Sequence, residues 1–289
     1  MMPRQIMKES PMHYFKNSQR IEQNSVSIDD RAFLYGDGCF TTARVKGRQV
    51  LLWQRHLARL MQGISALCLE CDMERINHAK EIALEGLTEH ETAILKIVIS
   101  RGSAARGYAM PLQAADIYCY LYPIAEQHVA PTSLACVGFI PDSLSHTFAP
   151  LKGIKSLNRL EQVLIKNQAI QQGWSEAFCV DGHRHLVEGI SSNCFVYLNG
   201  IWCSPNLQYA GIDGIMRQEI LARMHQHAIP HEVRVIDESE LQHSQAGFFC
   251  NALSPMQIIQ AVQCGQDKKL WDSTPCLELF QSLSLQQLV

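Results

Sequence analysis

The chain has no uninterrupted run of about 18 apolar residues, the length a helix needs to cross a bilayer. Its first thirty residues are polar and charged, without the apolar core of a secretory signal, so neither membrane insertion nor export is expected and a cytoplasmic location is. No block of five like charges occurs, and 25 basic residues against 28 acidic ones leave a net charge of −3. That balance argues against nucleic acid or a membrane surface as the main partner and for a small molecule. HExxH is absent, and the one CxxC, Cys68 to Cys71, has no second pair at zinc-finger spacing, so no metal site is expected. GDGCFT (36–41) puts Thr41 where a GxGxxG motif needs its third glycine, and the later turn GIDGIMR (211–217) lacks the Gly-Lys-Ser/Thr of a P-loop. Dinucleotides and nucleoside triphosphates are therefore discounted.

A length of 289 residues with 47% hydrophobic content suffices for a sizeable core and, by length, for about two globular domains. PIAEQHVAP (123–131) interrupts the regular pattern and divides a smaller N-terminal domain, 1–128, from a larger C-terminal one, 129–289. Residues 1–11 read as an untethered leader. The eleven cysteines are odd in number and scattered, and Cys119, Cys136, Cys179, Cys194 and Cys250 fall in strand-like apolar runs where a buried free thiol is ordinary. The twelve histidines read as surface or structural residues.

Alternation and turn residues predict a hairpin over 12–22 about Asn17-Ser18, strands over 39–45 and 49–53, and strands over 93–100 and 116–122. Helical spacing of Leu57, Leu60, Met61, Ile64 and Leu67 predicts a helix over 54–69, and a second helix follows over 73–87. In the second half, strands are expected over 133–139, 176–180, 185–188, 193–198, 201–203, 232–236, 247–250 and 258–262. Asn199-Gly200 is the strongest hairpin signal in the chain. Strands and helices follow one another without strict βαβ alternation, which predicts an α+β fold.

One lysine has an unusual setting. Lys155 follows Gly153-Ile154 and precedes Leu157, Leu160, Val163 and Leu164, spaced as one face of a helix that Gly173 closes, so it is expected at a helix N-terminus. The macrodipole disfavours a cation there by only about 0.3–1 kcal/mol, whereas bringing an amine from about 10.4 to near neutrality takes about 4 kcal/mol. Burial or a covalent cofactor must supply most of that difference. A lysine lying along the surface off a helix end is the alternative. Arg59 falls beside the apolar stripe of its helix, placed either to reach into a cleft or to remain a solvated charge. Arg101 and Arg106 share a glycine-rich loop that suits carboxylate binding and is equally compatible with a solvated tip. Gly214 opens a helix at Ile215-Met216, where backbone N–H groups converge as in a phosphate site or at an ordinary loop-to-helix junction. Together, a nucleophilic lysine, a glutamate at a strand end (Glu188), a helix-start anion site and an arginine are what pyridoxal 5'-phosphate requires. Its aldehyde needs an amine, its phosphate needs donors, and its pyridine nitrogen needs a carboxylate.

In order, DRAFLYGDGCFTTARV (30–45), HLARL (56–60), SRGSAARGY (100–108), GIKSLNRLEQVL (153–164), VEGISSN (187–193), GIDGIMRQ (211–218) and CNALSP (250–255) resemble the class IV (fold type IV) pyridoxal-phosphate enzymes, of D-amino acid aminotransferase-like fold. The likeness covers nearly all of the chain from about residue 12. It implies a two-domain homodimer, with Lys155 bonded to the cofactor aldehyde and acting in catalysis, and with Glu188 at the pyridine nitrogen. It also implies cofactor contacts from Arg59, Gly214, Ile215, Met216 and Asn251, and substrate carboxylates met by Arg101 or Arg106. The family holds aminotransferases for branched-chain and D-amino acids and also lyases that act on 4-amino-4-deoxychorismate. FTTARV, IKSLNRLEQV, GIMRQ and CNAL resemble the lyase wording. The aminotransferases usually carry threonine where Met216 and Asn251 stand, and a tyrosine in the region of Arg159-Leu160. The resemblance thus implies a lyase, with an aminotransferase as the alternative.

Overall fold

The computed structural model describes residues 13–22, 25–125 and 129–288, and the chain divides into two compact units, 1–127 and 128–288. The leader read at 1–11, Met12 and part of the segment 123–131 lie outside the described residues. Among the described residues, no helix is long and apolar enough to cross a membrane.

Unit 1 begins with strands β1 (His13–Lys16) and β2 (Gln19–Ile21), turned by Asn17 and Ser18 at φ 47° and 64°, the left-handed pair that a two-residue hairpin demands. Helix α1 (Arg31–Tyr35), β3 (Gly38–Lys46), β4 (Gln49–Val50), α2 (Trp53–Ala66), α3 (Met73–Leu84), β5 (Thr92–Ser100) and β6 (Asp116–Ile124) follow. The strands form an antiparallel sheet in the order β2-β1-β6-β5-β3-β4. Side chains of a strand alternate between its faces. Cys39, Ala43 and Val45 of β3 are therefore buried with Leu95, Ile97 and Ile99 of β5 and Ile117, Cys119 and Leu121 of β6. Leu57, Leu60 and Ile64 of α2 and Ile76, Ala79 and Ala83 of α3 join that same core. The strand expected over 49–53 stops at Val50, because Leu52 turns to φ 56° and α2 starts at Trp53.

Where β3 begins and β5 ends lies a partly buried ion-pair network. Asp37 receives Arg31 Nε at 2.8 Å on Oδ2, Arg101 Nε at 2.7 Å on Oδ2 and Arg101 Nη2 at 3.0 Å on Oδ1. Burial pushes the Asp37 carboxyl up, but the hydrogen bonds from Arg101 and Arg31 outweigh it and hold it below its ordinary range. Arg101 also donates from Nη1 to Cys68 O at 3.0 Å and from Nη2 to Leu67 O at 2.5 Å.

Unit 2 contains β7 (Thr132–Leu134), α4 (Leu160–Gln171), β8 (Phe178–Val180), β9 (Leu186–Gly189), β10 (Asn193–Leu198) and β11 (Ile201–Pro205). These are followed by α5 (Ile215–Gln226), β12 (His231–Arg234), β13 (Ala246–Cys250), β14 (Gln257–Ile259), β15 (Ala261–Cys264), β16 (Asp267–Leu270) and α6 (Thr274–Ser282). A mixed sheet runs β12-β11-β10-β13-β14-β7, parallel at β11/β12 and at β14/β7, with β8/β9 and β15/β16 as separate hairpins. Asn199 and Gly200, at φ 51° and 83°, make the expected turn between β10 and β11. Phe178, Val196, Phe249, Ile259 and Trp271 fill the core against this sheet. The architecture is α+β, as expected.

Further details differ from the sequence expectation: the strand expected over 133–139 is Thr132–Leu134, and the one expected over 176–180 starts at Phe178. The strand expected over 258–262 is two, parted at Gln260, whose N–H binds Leu134 O while its own carbonyl accepts Trp271 N–H. Helix α6 was not anticipated. Helix α4 starts at Leu160 rather than beside Lys155, and the residues it buries are Ile165 and Ala169. Leu160, Val163 and Leu164, which share one face of the helix, are 72%, 61% and 58% exposed. Periodicity identifies residues that share a helix face, not which face packs.

Arg101→Ala is expected to lower unfolding stability by about 2 kcal/mol, because it leaves the Leu67 and Cys68 carbonyls and part of the half-buried Asp37 carboxylate without donors. Denaturant titration followed by circular dichroism measures this, and a loss below about 1 kcal/mol would show that the network contributes little.

Candidate active site

Glu188 is the penultimate residue of β9 and 5% exposed. Its Oε2 accepts the N–H of Ile212 at 2.9 Å, which ties the end of β9 to the turn 211–214. Gly211 takes φ 92° in that turn, where a Cβ would come within 2.8 Å of Val187. Burial pushes the Glu188 carboxyl up to about 7, and the neighbouring Glu176 charge pushes the same way. The Ile212 N–H and the positive charges of Lys155 and Arg159 pull against them. A dry carboxyl that holds its proton more tightly than usual is one whose charged form a cationic or N–H partner would stabilise.

Lys155 is half-buried in the non-helical segment ahead of α4, five residues before the helix begins, so it does not sit on the first turn where the helix dipole acts. Two residues earlier, Gly153 pairs with Ile212 as a parallel bridge, and its carbonyl accepts the N–H of Asp213 at 3.3 Å. The turn 211–214 therefore joins the Lys155 segment on one side to Glu188 on the other. Arg159, one residue before α4, is also half-buried.

The same turn leads into α5. Gly214 is the N-cap, with no side chain to satisfy the first N–H groups, those of Ile215 and Met216. The space that a Cβ would fill at Gly214 is occupied by Asn193 Oδ1, 1.9 Å from the built position. Asn193 Nδ2 donates to Ile212 O at 2.8 Å, locking the turn from β10. Asp213 precedes the cap, but its carboxylate is drawn back onto Arg217 Nη1 and Gln218 Nε2, each at 2.9 Å. Arg217 is buried and anchored by Ser204 Oγ at 2.9 Å and Pro205 O at 3.0 Å. Thus the acid nearest the helix start is neutralised and two main-chain donors are left for an anion.

Asn251 closes the arrangement from β13, but by internal bonds. Its Oδ1 accepts Leu253 N–H at 3.0 Å and Ser254 N–H at 2.9 Å, and its Nδ2 donates to Ser192 Oγ at 3.2 Å and Ser191 O at 3.4 Å. Lys155, Glu188, Gly214, Ile215, Met216 and Asn251 all belong to unit 2. A lysine, a buried carboxylate and a glycine-started helix bound together by one turn fit the three needs of pyridoxal phosphate.

The predicted arginines belong to unit 1. Arg59 is buried on α2 and donates from Nη2 to Thr41 Oγ1, which also lies 2.6 Å from His56 Nδ1. Burial, reinforced by Arg59, pushes His56 down to about 3, so its ring is neutral. Arg101 commits four of its five N–H groups to Asp37 and two carbonyls, whereas Arg106 is exposed in its loop. Of the two, Arg106 is the one left available to a ligand. The sequence reading gave no role to Asn193, Thr41, His56 or Glu176. Asn193, Thr41 and His56 sit inside matched stretches, and for Asn193 and Thr41 the only further signal is a polar residue at a position that strand alternation turns inward.

Glu188 sets a pH dependence for the protein without cofactor. Its folded-state value of about 7 lies above the ordinary 4.5, so the folded state holds a proton that the unfolded state has lost. Stability should therefore fall as pH rises from about 5 to 7, by something on the order of 3 kcal/mol, and level off above. Glu188→Gln should flatten that segment of the stability curve. Parallel curves for parent and variant would show an ordinary carboxylate.

The family model for amino-transferase class IV matches residues 38–262. An aminodeoxychorismate lyase of Vibrio harveyi is 24% identical over 249 residues, covering 86% of this chain and 91% of that protein. Branched-chain and D-alanine aminotransferases are also among the sequence relatives. The solved structure of 4-amino-4-deoxychorismate lyase from Pseudomonas aeruginosa is similar with a TM-score of 0.77 and 28% identity, over 92% of this chain and 96% of that one. A hypothetical aminotransferase from Mycobacterium tuberculosis in its PLP-bound form shares the fold, with a TM-score of 0.80 at 17% identity, over 96% and 99% of the two chains. The match over most of its length, on a site with the right donors, makes this chain a member of the class IV aminotransferase family of enzymes, with pyridoxal phosphate as its cofactor.

Proposed function

We propose that the enzyme is a lyase that converts 4-amino-4-deoxychorismate to 4-aminobenzoate and pyruvate, a cytoplasmic step of folate biosynthesis. The observation that carries this reading is the likeness to the Pseudomonas lyase over 92% of the chain. Met216, Asn251 and Arg159-Leu160 agree with it, standing where the aminotransferases usually have threonines and a tyrosine.

When bound, pyridoxal phosphate supplies an electron sink beside the substrate amine. Lys155 would hold the cofactor, and its Nζ would be the base that takes the substrate's C4 proton. Glu188 would keep the pyridine nitrogen protonated, and the Ile215 and Met216 N–H groups would hold the phosphate, a role that the resemblance also gives to Arg59. Arg106 meets a substrate carboxylate. Loss of the enolpyruvyl group from C3 leaves the ring aromatic, and the released enol becomes pyruvate.

The division at 127/128 supports reading 1–128 and 129–289 as separate domains. We also propose a homodimer. Leu160, Val163, Leu164 and Ile170 expose one apolar face of α4, more contiguous apolar surface than a lone helix usually shows to water.

An aminotransferase is the second reading, favoured by the aminotransferases among the relatives. The two differ in what they require, because a transaminase leaves nitrogen on the cofactor and needs a keto acid to remove it. With 4-amino-4-deoxychorismate as sole substrate, 4-aminobenzoate and pyruvate should form in equal amounts over many turnovers. A reaction that stopped after one turnover and resumed on adding a keto acid would replace the lyase with the aminotransferase.

A further inference from the structure

Glu176 lies between α4 and β8, is 3% exposed, and has no part in the chemistry described above. Its two oxygens nevertheless accept five hydrogen bonds. Oε1 takes the N–H of Ile190 at 2.5 Å and of Ala177 at 3.3 Å. Oε2 takes the Ser191 N–H at 3.3 Å, the Ser191 hydroxyl at 2.8 Å and the Ser192 hydroxyl at 3.0 Å. Four of these donors come from residues 190–192, the turn that follows Glu188 directly. The approach is close enough that a Cβ on Gly189 would lie 3.0 Å from Oε1.

The network continues through Ser192. Its Oγ accepts Asn251 Nδ2 at 3.2 Å and Gln257 Nε2 at 3.4 Å while donating to Glu176. Asn251 in turn shapes its own loop by holding the Leu253 and Ser254 N–H groups. One buried carboxylate thus organises two segments that border the site, the 190–192 turn and the 251–254 loop. Bonds from N–H and hydroxyl groups to a carboxylate in dry surroundings are among the stronger ones available to a protein.

We propose that Glu176 is a positioning residue of the cofactor site, fixing the turn after Glu188 and, through Ser192, the Asn251 loop, so that both meet bound pyridoxal phosphate in one arrangement. This rests on the assignment of Glu188 and Asn251 to the cofactor but not on the choice between lyase and aminotransferase. The Glu176 charge also acts on Glu188 directly, adding to burial in raising its proton affinity.

Glu176→Gln keeps the volume but sets an NH₂ group against main-chain N–H donors at whichever oxygen it replaces. The cofactor-free variant should keep the parent's circular dichroism, yet its Kd for pyridoxal phosphate, from absorbance titration, should rise about ten-fold or more. The visible band of the bound cofactor should also change with pH about a different midpoint, which a merely structural residue would not cause. The Ser191→Ala/Ser192→Ala double variant keeps the carboxylate and its main-chain bonds, and should show the same two effects more weakly should Glu176→Gln not fold. A folded variant with the parent's Kd and the parent's band-against-pH curve would overturn the proposal. A parent that took up no pyridoxal phosphate would overturn the site assignment beneath it.

Discussion

Glu188 keeps 5% of its surface, and a carboxylate that dry is costly unless something in its surroundings answers its charge. Within the chain, the answer is one N–H from Ile212 and the positive fields of Lys155 and Arg159, and burial still prevails in pushing the group up to about 7. Much of unit 2 around the site follows from keeping this group in place. The turn 211–214 must present Ile212 to it, and the Gly153 bridge must bring the Lys155 segment alongside. Asn193 must occupy the space at Gly214, so that the helix after the turn starts with its N–H groups bare. The start of the helix, the carboxylate and the Lys155 segment are therefore tied to a single turn.

Similar charges meet different ends in the two units. Arg101 and Arg106 stand five positions apart in one loop, yet the first is buried and committed to Asp37 while the second is exposed. Glu176 and Glu188 are both buried, but Glu176 is surrounded by five donors and Glu188 by few, which leaves Glu188 to respond to a ligand. What separates structural from responsive groups is the count of donors already engaged, a property of packing rather than of residue type.

Much of this was legible in the residues. The Asn17-Ser18 and Asn199-Gly200 turns, the alternation along β3, β5 and β6 and the stripe of α2 appear where local rules put them. The glycine-started helix at Ile215 is equally local. Less legible was whatever depends on distant partners. The Leu160-Val163-Leu164 stripe has helical period but faces outward, and Lys155 lies in non-helical chain because α4 starts five residues later than a helix built around it would. Glu176 had no distinguishing neighbours in sequence, since its donors lie at 190–192. A seven-part resemblance nominates the site residues, and side-chain geometry shows Arg101 committed to Asp37 and two carbonyls while Arg106 is exposed.

At the centre of the account is the proposal that Lys155 is the residue that bonds pyridoxal phosphate. Borohydride reduction of the loaded enzyme, followed by proteolysis and mass mapping, tests it directly. The cofactor mass should be found on the peptide containing Lys155. Its appearance on another lysine, or on none while the yellow colour persists, would contradict the account.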